Sequence, residues 1–149
     1  MNIPPEIILT LVSEDDNLSL LITPMEHEIK STVFSLNPNS APGPDGPNNG
    51  FFQHQWEVVH TNVCKHVKYF INTGSLPYGL NAQFLTLIPK VTNASEVHLF
   101  RPISLIKSIY KIITKILTNP LSSLCNKIIY WNQFGFINCR SIQDCIYIT

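Results

Sequence analysis

Apolar positions recur along this chain with a period that changes, and each change marks an element. A short apolar stretch at Ile7–Val12 runs into the acids Glu14, Asp15 and Asp16, which read as a loop. Thr23-Pro24-Met25-Glu26 has the form of a capping box with proline at the first helical position. Met25, Ile29, Val33 and Leu36 follow at spacings of 4, 4 and 3, the stripe of a helix that should stop near Asn37-Pro38. Residues 37–50, NPNSAPGPDGPNNG, carry four prolines and three glycines, which suit neither a helix nor a strand interior. Beyond this loop Phe52, Trp56, Val59, Val63, Val67 and Phe70 form the clearest helical stripe in the chain. Gly74 is placed to cap it in the left-handed conformation, with Pro77 just beyond.

At Gln83 the texture changes. FLTLIPK (84–90) and FRPISLI (100–106) are short apolar runs separated by the polar VTNASEVHL, the pattern of two strands joined as a hairpin. A proline in each run marks an edge or a strand end. Helical spacing resumes at Ile106, Ile109, Tyr110, Ile113 and Leu117, and the stripe continues through Leu121, Leu124 and Ile128. Pro120 interrupts it, which predicts a break or kink. A turn at Trp131–Gly135 precedes a last segment, Ser141–Thr149. The fold class expected is α+β, mostly helical with one β-hairpin. Its organisation is a helical part over 1–82, the hairpin over 83–106 and a second helical part over 107–149.

Charge adds a polarity that the zero net value hides. Residues 1–57 hold eight acids against Lys30, whereas residues 58–149 hold nine bases against Glu96 and Asp144. A basic segment of this kind can attract phosphates through counterion release. Two oppositely charged faces that pair with each other, or a merely solvated surface, explain the same distribution equally well. No apolar run approaches the ~18–20 residues that cross a bilayer, and the N-terminus lacks the basic start of a signal peptide. The chain is therefore expected to be intracellular, nuclear or cytoplasmic and not secreted, with no membrane partner. Cys64, Cys125, Cys139 and Cys145 form no CxxC pair, so free thiols and no disulfide-linked partner are expected. The sequons at Asn17 and Asn93 then count as chance matches.

Candidate chemistry is sparse. His54, His60, Cys64 and His66 are metal-ligand types, but Cys64 and His66 lie across a helix and no second pair completes a tetrahedron. No GxSxG, HExxH or P-loop is present. Asp45 and Asp144 could join a two-metal site only by converging on ions about 4 Å apart. Structural roles suit them better: Asp45 bonding within its turn, Asp144 near a helix start. Lys90 and Arg101 flank the hairpin, one at the end of a strand and one at the start of the next. Two cations held close repel unless an anion lies between them, so phosphate is their candidate ligand, against ordinary surface charge.

SAPGPDG (40–46), FFQHQWEVV (51–59), GSLPYGLN (74–81), LTLIPKV (85–91), FRPISLI (100–106), YKIITKIL (110–117) and QFGFINCRSIQDCI (133–146) follow one another in order. Together they resemble the start of the reverse transcriptase domain of plant LINE-type, non-LTR retrotransposons. That resemblance implies the fingers and the start of the palm of a truncated reverse-transcriptase fold. It implies that Lys90 and Arg101 grip the triphosphate of an incoming nucleotide and, less directly, that Asp45 and Arg140 lie near the template. The implied partners are an RNA or DNA template and a deoxynucleoside triphosphate.

The sequence departs from the family at Cys139, where glycine is usual before the arginine. It departs at Pro120, where a basic residue is usual, and at Pro47, where an aromatic residue or leucine is usual. The metal-binding aspartates of the palm are expected to lie beyond this segment. No catalytic residue, metal ligand or cofactor is therefore assigned to the chain itself, although the full-length family uses Mg2+. The resulting expectation is a non-catalytic fragment of an RNA-directed DNA polymerase. A residual RNA- or nucleotide-binding module and a decayed transposon remnant are the alternatives.

Overall fold

The computed structural model describes residues 11–130, 132–135, 137, 140, 141 and 143. Asp144, Cys139 and most of the last predicted segment lie outside the described residues, as does all but the end of the Ile7–Val12 stretch. Two compact units emerge: Thr23–Ile116, and Met1–Ile22 together with Leu117–Thr149.

The larger unit begins with α2 (Glu26–Ser35), α3 (Asn49–His54) and α4 (Trp56–Thr73), continues into β1 (Gln83–Pro89) and β2 (Phe100–Ile106), and includes the start of α5 (Ser108–Ile128). α2 starts later than the Thr23-Pro24 signal suggested. Its N-cap is Met25, which makes no side-chain cap bond, and Glu28 reaches back so that its Oε2 accepts from Met25 N at 2.7 Å. The other end is closed from α3, where Gln53 Nε2 donates to Leu36 O and also to Val33 O, which the Leu36 N–H reaches at 3.3 Å. The stripe from Phe52 to Phe70 is two helices rather than one. Asn48 caps α3 by accepting from Phe51 N, and the chain turns at Gln55 before α4 begins. α4 ends as its sequence indicates, with Gly74 at φ 66 and its N–H on Phe70 O at 2.8 Å.

The apolar stripes meet in one core. Ile29 and Val33 of α2, Phe52 of α3, Trp56, Val63, Cys64 and Val67 of α4, and Ile112, Ile113 and Ile116 of α5 are all buried together with Leu80. Each fully buried Ile or Val among them contributes roughly 1.5–3 kcal/mol of transfer free energy. The edge-on contact of Phe34 with Trp56, centroids 6.3 Å apart, extends this packing toward the surface.

β1 and β2 form a two-stranded antiparallel sheet in the register Gln83↔Ile106 to Pro89↔Phe100. Lys90 N continues the ladder onto Leu99 O at 2.8 Å. The α+β class, mostly helical with one hairpin, is thus the observed one. No described helix is long and apolar enough to cross a membrane.

The smaller unit contains α1 (Glu14–Leu21) and the rest of α5. α1 corrects the expectation of an acidic loop: Ser13 accepts from Asp16 N while Asp16 accepts from Ser13 N, a reciprocal capping box. Three acids in its first turn also suit the positive end of the helix dipole. α5 runs through Pro120 without ending, so of the break or kink expected there the break does not form. Leu124, beyond the proline, is buried on the same stripe. The division between the units falls beside Ile116, the residue whose carbonyl loses its helical donor to Pro120.

Candidate nucleic-acid interface

The hairpin carries the two cations singled out from the sequence. Arg101 stands opposite Ile88, and Lys90 stands opposite Leu99 through the bond that extends the ladder. Directly opposed residues share a face and alternate residues return to it, so Lys90 and Arg101 lie on one face as diagonal neighbours, roughly 7–8 Å apart at the backbone. Both are exposed. Lys90 Nζ donates to His98 O at 2.8 Å, which holds the ammonium over the 3₁₀ turn Val97–Leu99 that joins the strands. Among the described residues no acceptor is assigned to the Arg101 guanidinium, whose planar fork is suited to two phosphate oxygens.

Behind the hairpin, the proline-glycine loop is tied to the start of α5. Asp45 Oδ2 accepts from Ser108 N at 3.3 Å, and Ser108 Oγ donates to Pro47 O at 2.9 Å. Lys111 Nζ donates to Ala41 O at 2.6 Å and reaches Ser40 Oγ at 3.4 Å. Gly43 passes so close that a Cβ there would lie 2.5 Å from the Ile106 carbonyl carbon and the Lys107 nitrogen. The loop is also held at its far side, where buried Asn49 donates through Nδ2 to Asn37 O and Ser40 Oγ. This network orients β2 and α5 relative to the loop, and it uses Asp45 as a helix cap instead of the within-turn acceptor expected of it. Ser108, Lys111, Gly43 and Asn49 were not singled out from the sequence. Lys111 and Gly43 carried a signal, since both fall inside the motifs quoted above.

Arg140 also has a structural position. Its Nη1 donates to Tyr130 O and Gln133 O at 2.7 and 2.9 Å, and its Nη2 to Ile129 O at 3.2 Å, carbonyls that follow the end of α5. It is not brought together with Lys90 and Arg101 in any described contact, and neither is Asp45. The remaining chemistry-bearing types are occupied locally. The Nδ1 atoms of His54, His60 and His66 contact the carbonyls of Gly50, Glu57 and Asn62 on their own helices. Burial pushes the Cys64 thiol pKa up, which keeps it protonated and unreactive. Cys64 and Cys125 are free thiols.

Part of the charge division does resolve into pairing. Lys68 meets Glu26 at 3.2 Å and Lys127 meets Asp16 at 2.8 Å, each joining the acidic half of the sequence to the basic half. Lys90, Arg101 and Lys65 take no part in a described ion pair.

What the site defines is a mixed α+β segment presenting a basic hairpin on a helical base. Over 129 residues, 86% of this chain, it is 29% identical to the Transposon TX1 uncharacterized 149 kDa protein of Xenopus laevis. The match covers 10% of that protein, so the chain spans about a tenth of the length of the relative it resembles. No family model matches the chain.

Proposed function

We propose that this chain is the fingers and the start of the palm of a reverse transcriptase from a LINE-type, non-LTR retrotransposon, and that its own part is to hold phosphate. The observation carrying this reading is the hairpin, which places Lys90 and Arg101 on one exposed face with the Arg101 fork turned to no described acceptor. Likeness to a transposon-encoded protein over most of the chain supports it. The Mg2+ of such polymerases does not fit the described residues. No three His, Cys, Asp or Glu side chains among them gather so as to hold a metal, and Asp45 is committed to Ser108. No role in phosphoryl transfer is therefore proposed for any described residue.

Titration of labelled single-stranded RNA at several salt concentrations tests the reading. Binding should weaken as salt rises, because released counterions supply most of its free energy. Lys90→Ala with Arg101→Ala should remove up to two phosphate contacts and flatten the log–log salt slope by about 1.4. Lys65→Ala with Lys68→Ala should change it less, since Lys68 is already paired with Glu26. Equal effects from the two pairs would mean diffuse attraction to the basic half and no phosphate grip in the hairpin.

A further inference from the structure

The two edges of the hairpin are not equivalent. The bond from Lys90 N to Leu99 O fixes which backbone groups point inward. Alternation along the register then turns Lys90, Ile88, Thr86 and Phe84 toward β2, and turns Gln83, Leu85, Leu87 and Pro89 outward. On β2 the outward residues are Phe100, Pro102, Ser104 and Ile106. That edge is blunted at its middle by Pro102, which has no N–H, and is approached at Ile106 by the backbone of Gly43. Among the described residues the outer edge of β1 has neither protection. Its only proline is terminal, and from Gln83 to Pro89 it bears no charge. Every residue of the strand is exposed, Leu85 at 65% and Leu87 at 53%. Native edge strands are ordinarily guarded by charge, proline or a bulge, and this one lacks an interior guard.

We propose that β1 is a homodimer interface, pairing antiparallel with β1 of a second copy about a two-fold axis through Thr86 to give one four-stranded sheet. In that register Leu85 exchanges backbone hydrogen bonds with Leu87 of the second copy, and Leu87 with its Leu85. These residues are the outward-pointing ones, so donors and acceptors match without disturbing the β1–β2 ladder. On one face Leu85 lies across from Leu87, and on the other Phe84 lies across from Ile88, with Thr86 across from itself. Aromatic–β-branched and Thr–Thr pairs of this kind each stabilise a sheet, by contrast with like charges placed opposite each other. Lys90 falls beyond the paired stretch, opposite Ala82, so the axis brings no cations together. A strand without charge offers nothing to select a charged partner, whereas an isologous pairing gives Leu85 and Leu87 both of their backbone partners and leaves only the terminal Gln83 carbonyl, opposite Pro89 of the second copy, without a donor.

Light scattering on the full chain, over a hundredfold range of concentration, measures the association. A concentration-dependent dimer is expected. Leu87→Pro removes an outward N–H and should weaken dimerisation at least tenfold while leaving the circular dichroism of the monomer unchanged. Ser104→Pro makes the same change on the other edge and should leave the dimer intact. In a background with the four native cysteines replaced by serine, Thr86→Cys should oxidise to a covalent dimer. Its position is a non-hydrogen-bonded pair, with Cα atoms about 4.5 Å apart, within disulfide range. Ile88→Cys, displaced from the axis, should not. A monomer at every concentration overturns the proposal, as do equal effects of the two proline changes or equal crosslinking of the two cysteines. Larger oligomers insensitive to Leu87→Pro overturn it as well, because they would reflect unspecific adhesion of apolar surface.

Discussion

The carboxylate of Asp45 caps a helix that begins sixty-three residues later, its Oδ2 accepting from the N–H of Ser108 at 3.3 Å. Ser108 returns the tie through its hydroxyl to Pro47 O, and its side chain is fully buried. The loop and the start of α5 therefore act as one piece. Asp45→Ala should lower stability by about 1 kcal/mol, the ordinary value of a lost cap. Asp45→Asn keeps an acceptor and should cost less. Gly43→Ala should cost more than Asp45→Ala, since backbone atoms and not a mobile side chain would have to move. Urea unfolding of the three variants orders them. A large loss from Asp45→Asn, matching that from Asp45→Ala, would show that charge and not the hydrogen bond is what the helix start requires.

Legibility in the sequence followed the range of the interactions. Gly74 and the hairpin were readable because a left-handed cap and a strand–turn–strand pattern are specified by neighbouring residues. The break at Gln55 was not, since Phe52 and Trp56 keep a helical spacing of four across it and the stripe continues in phase. α1 carried its own signal in Ser13-x-x-Asp16, which was hidden by an acidic run that resembles a solvated loop. Thr23-Pro24 imitated a cap that the chain builds two residues later with Glu28. The partners of Asp45 and Arg140 could not be read at all, for they depend on which distant backbone groups the fold leaves unsatisfied.

Acid should act first on the smaller unit. Lys127 and the cap at Ser13 hold the Asp16 carboxyl at about 2, below its ordinary 3.8. A depressed folded-state pKa contributes stability that is fully present above about pH 4 and is lost as pH falls through about 2. Lys127→Ala should raise the Asp16 pKa toward its ordinary value, and carbon-detected titration of the carboxyl measures that directly. The difference in thermal stability between the parent and Lys127→Ala should shrink over the same window. A difference independent of pH from 5 to 2 would leave the ion pair without an energetic role.

Pro120 sits inside α5 without ending it, so replacing it should stabilise the helix and not lengthen it. Pro120→Ala restores a donor for the Ile116 carbonyl and removes a ring clash, together worth up to about 3 kcal/mol where the surrounding helix is unrelaxed. The expected result is a higher melting temperature with helical ellipticity nearly constant. A clear rise in ellipticity would mean that the residues after Pro120 are only partly helical in solution.

Arg140 separates a structural role from the template contact that the family resemblance implies. Its guanidinium spans Tyr130 O, Gln133 O and Ile129 O, a geometry that needs two nitrogens in one plane. Lysine has a single ammonium and no fork, so Arg140→Lys should recover only part of what Arg140→Ala loses. Hydrogen bonds to a charged group are worth about 1.5–3 kcal/mol, and the alanine variant should lose a comparable amount of stability. Because both Nη atoms are already engaged by backbone carbonyls, single-stranded RNA should bind both variants nearly as it binds the parent under conditions where all three are folded. The opposite pattern, unchanged stability with weakened RNA binding that lysine restores, would move Arg140 from the helix end to the nucleic acid. Urea midpoints and RNA titrations on the same three proteins decide between these outcomes, since each role moves one measurement and leaves the other in place.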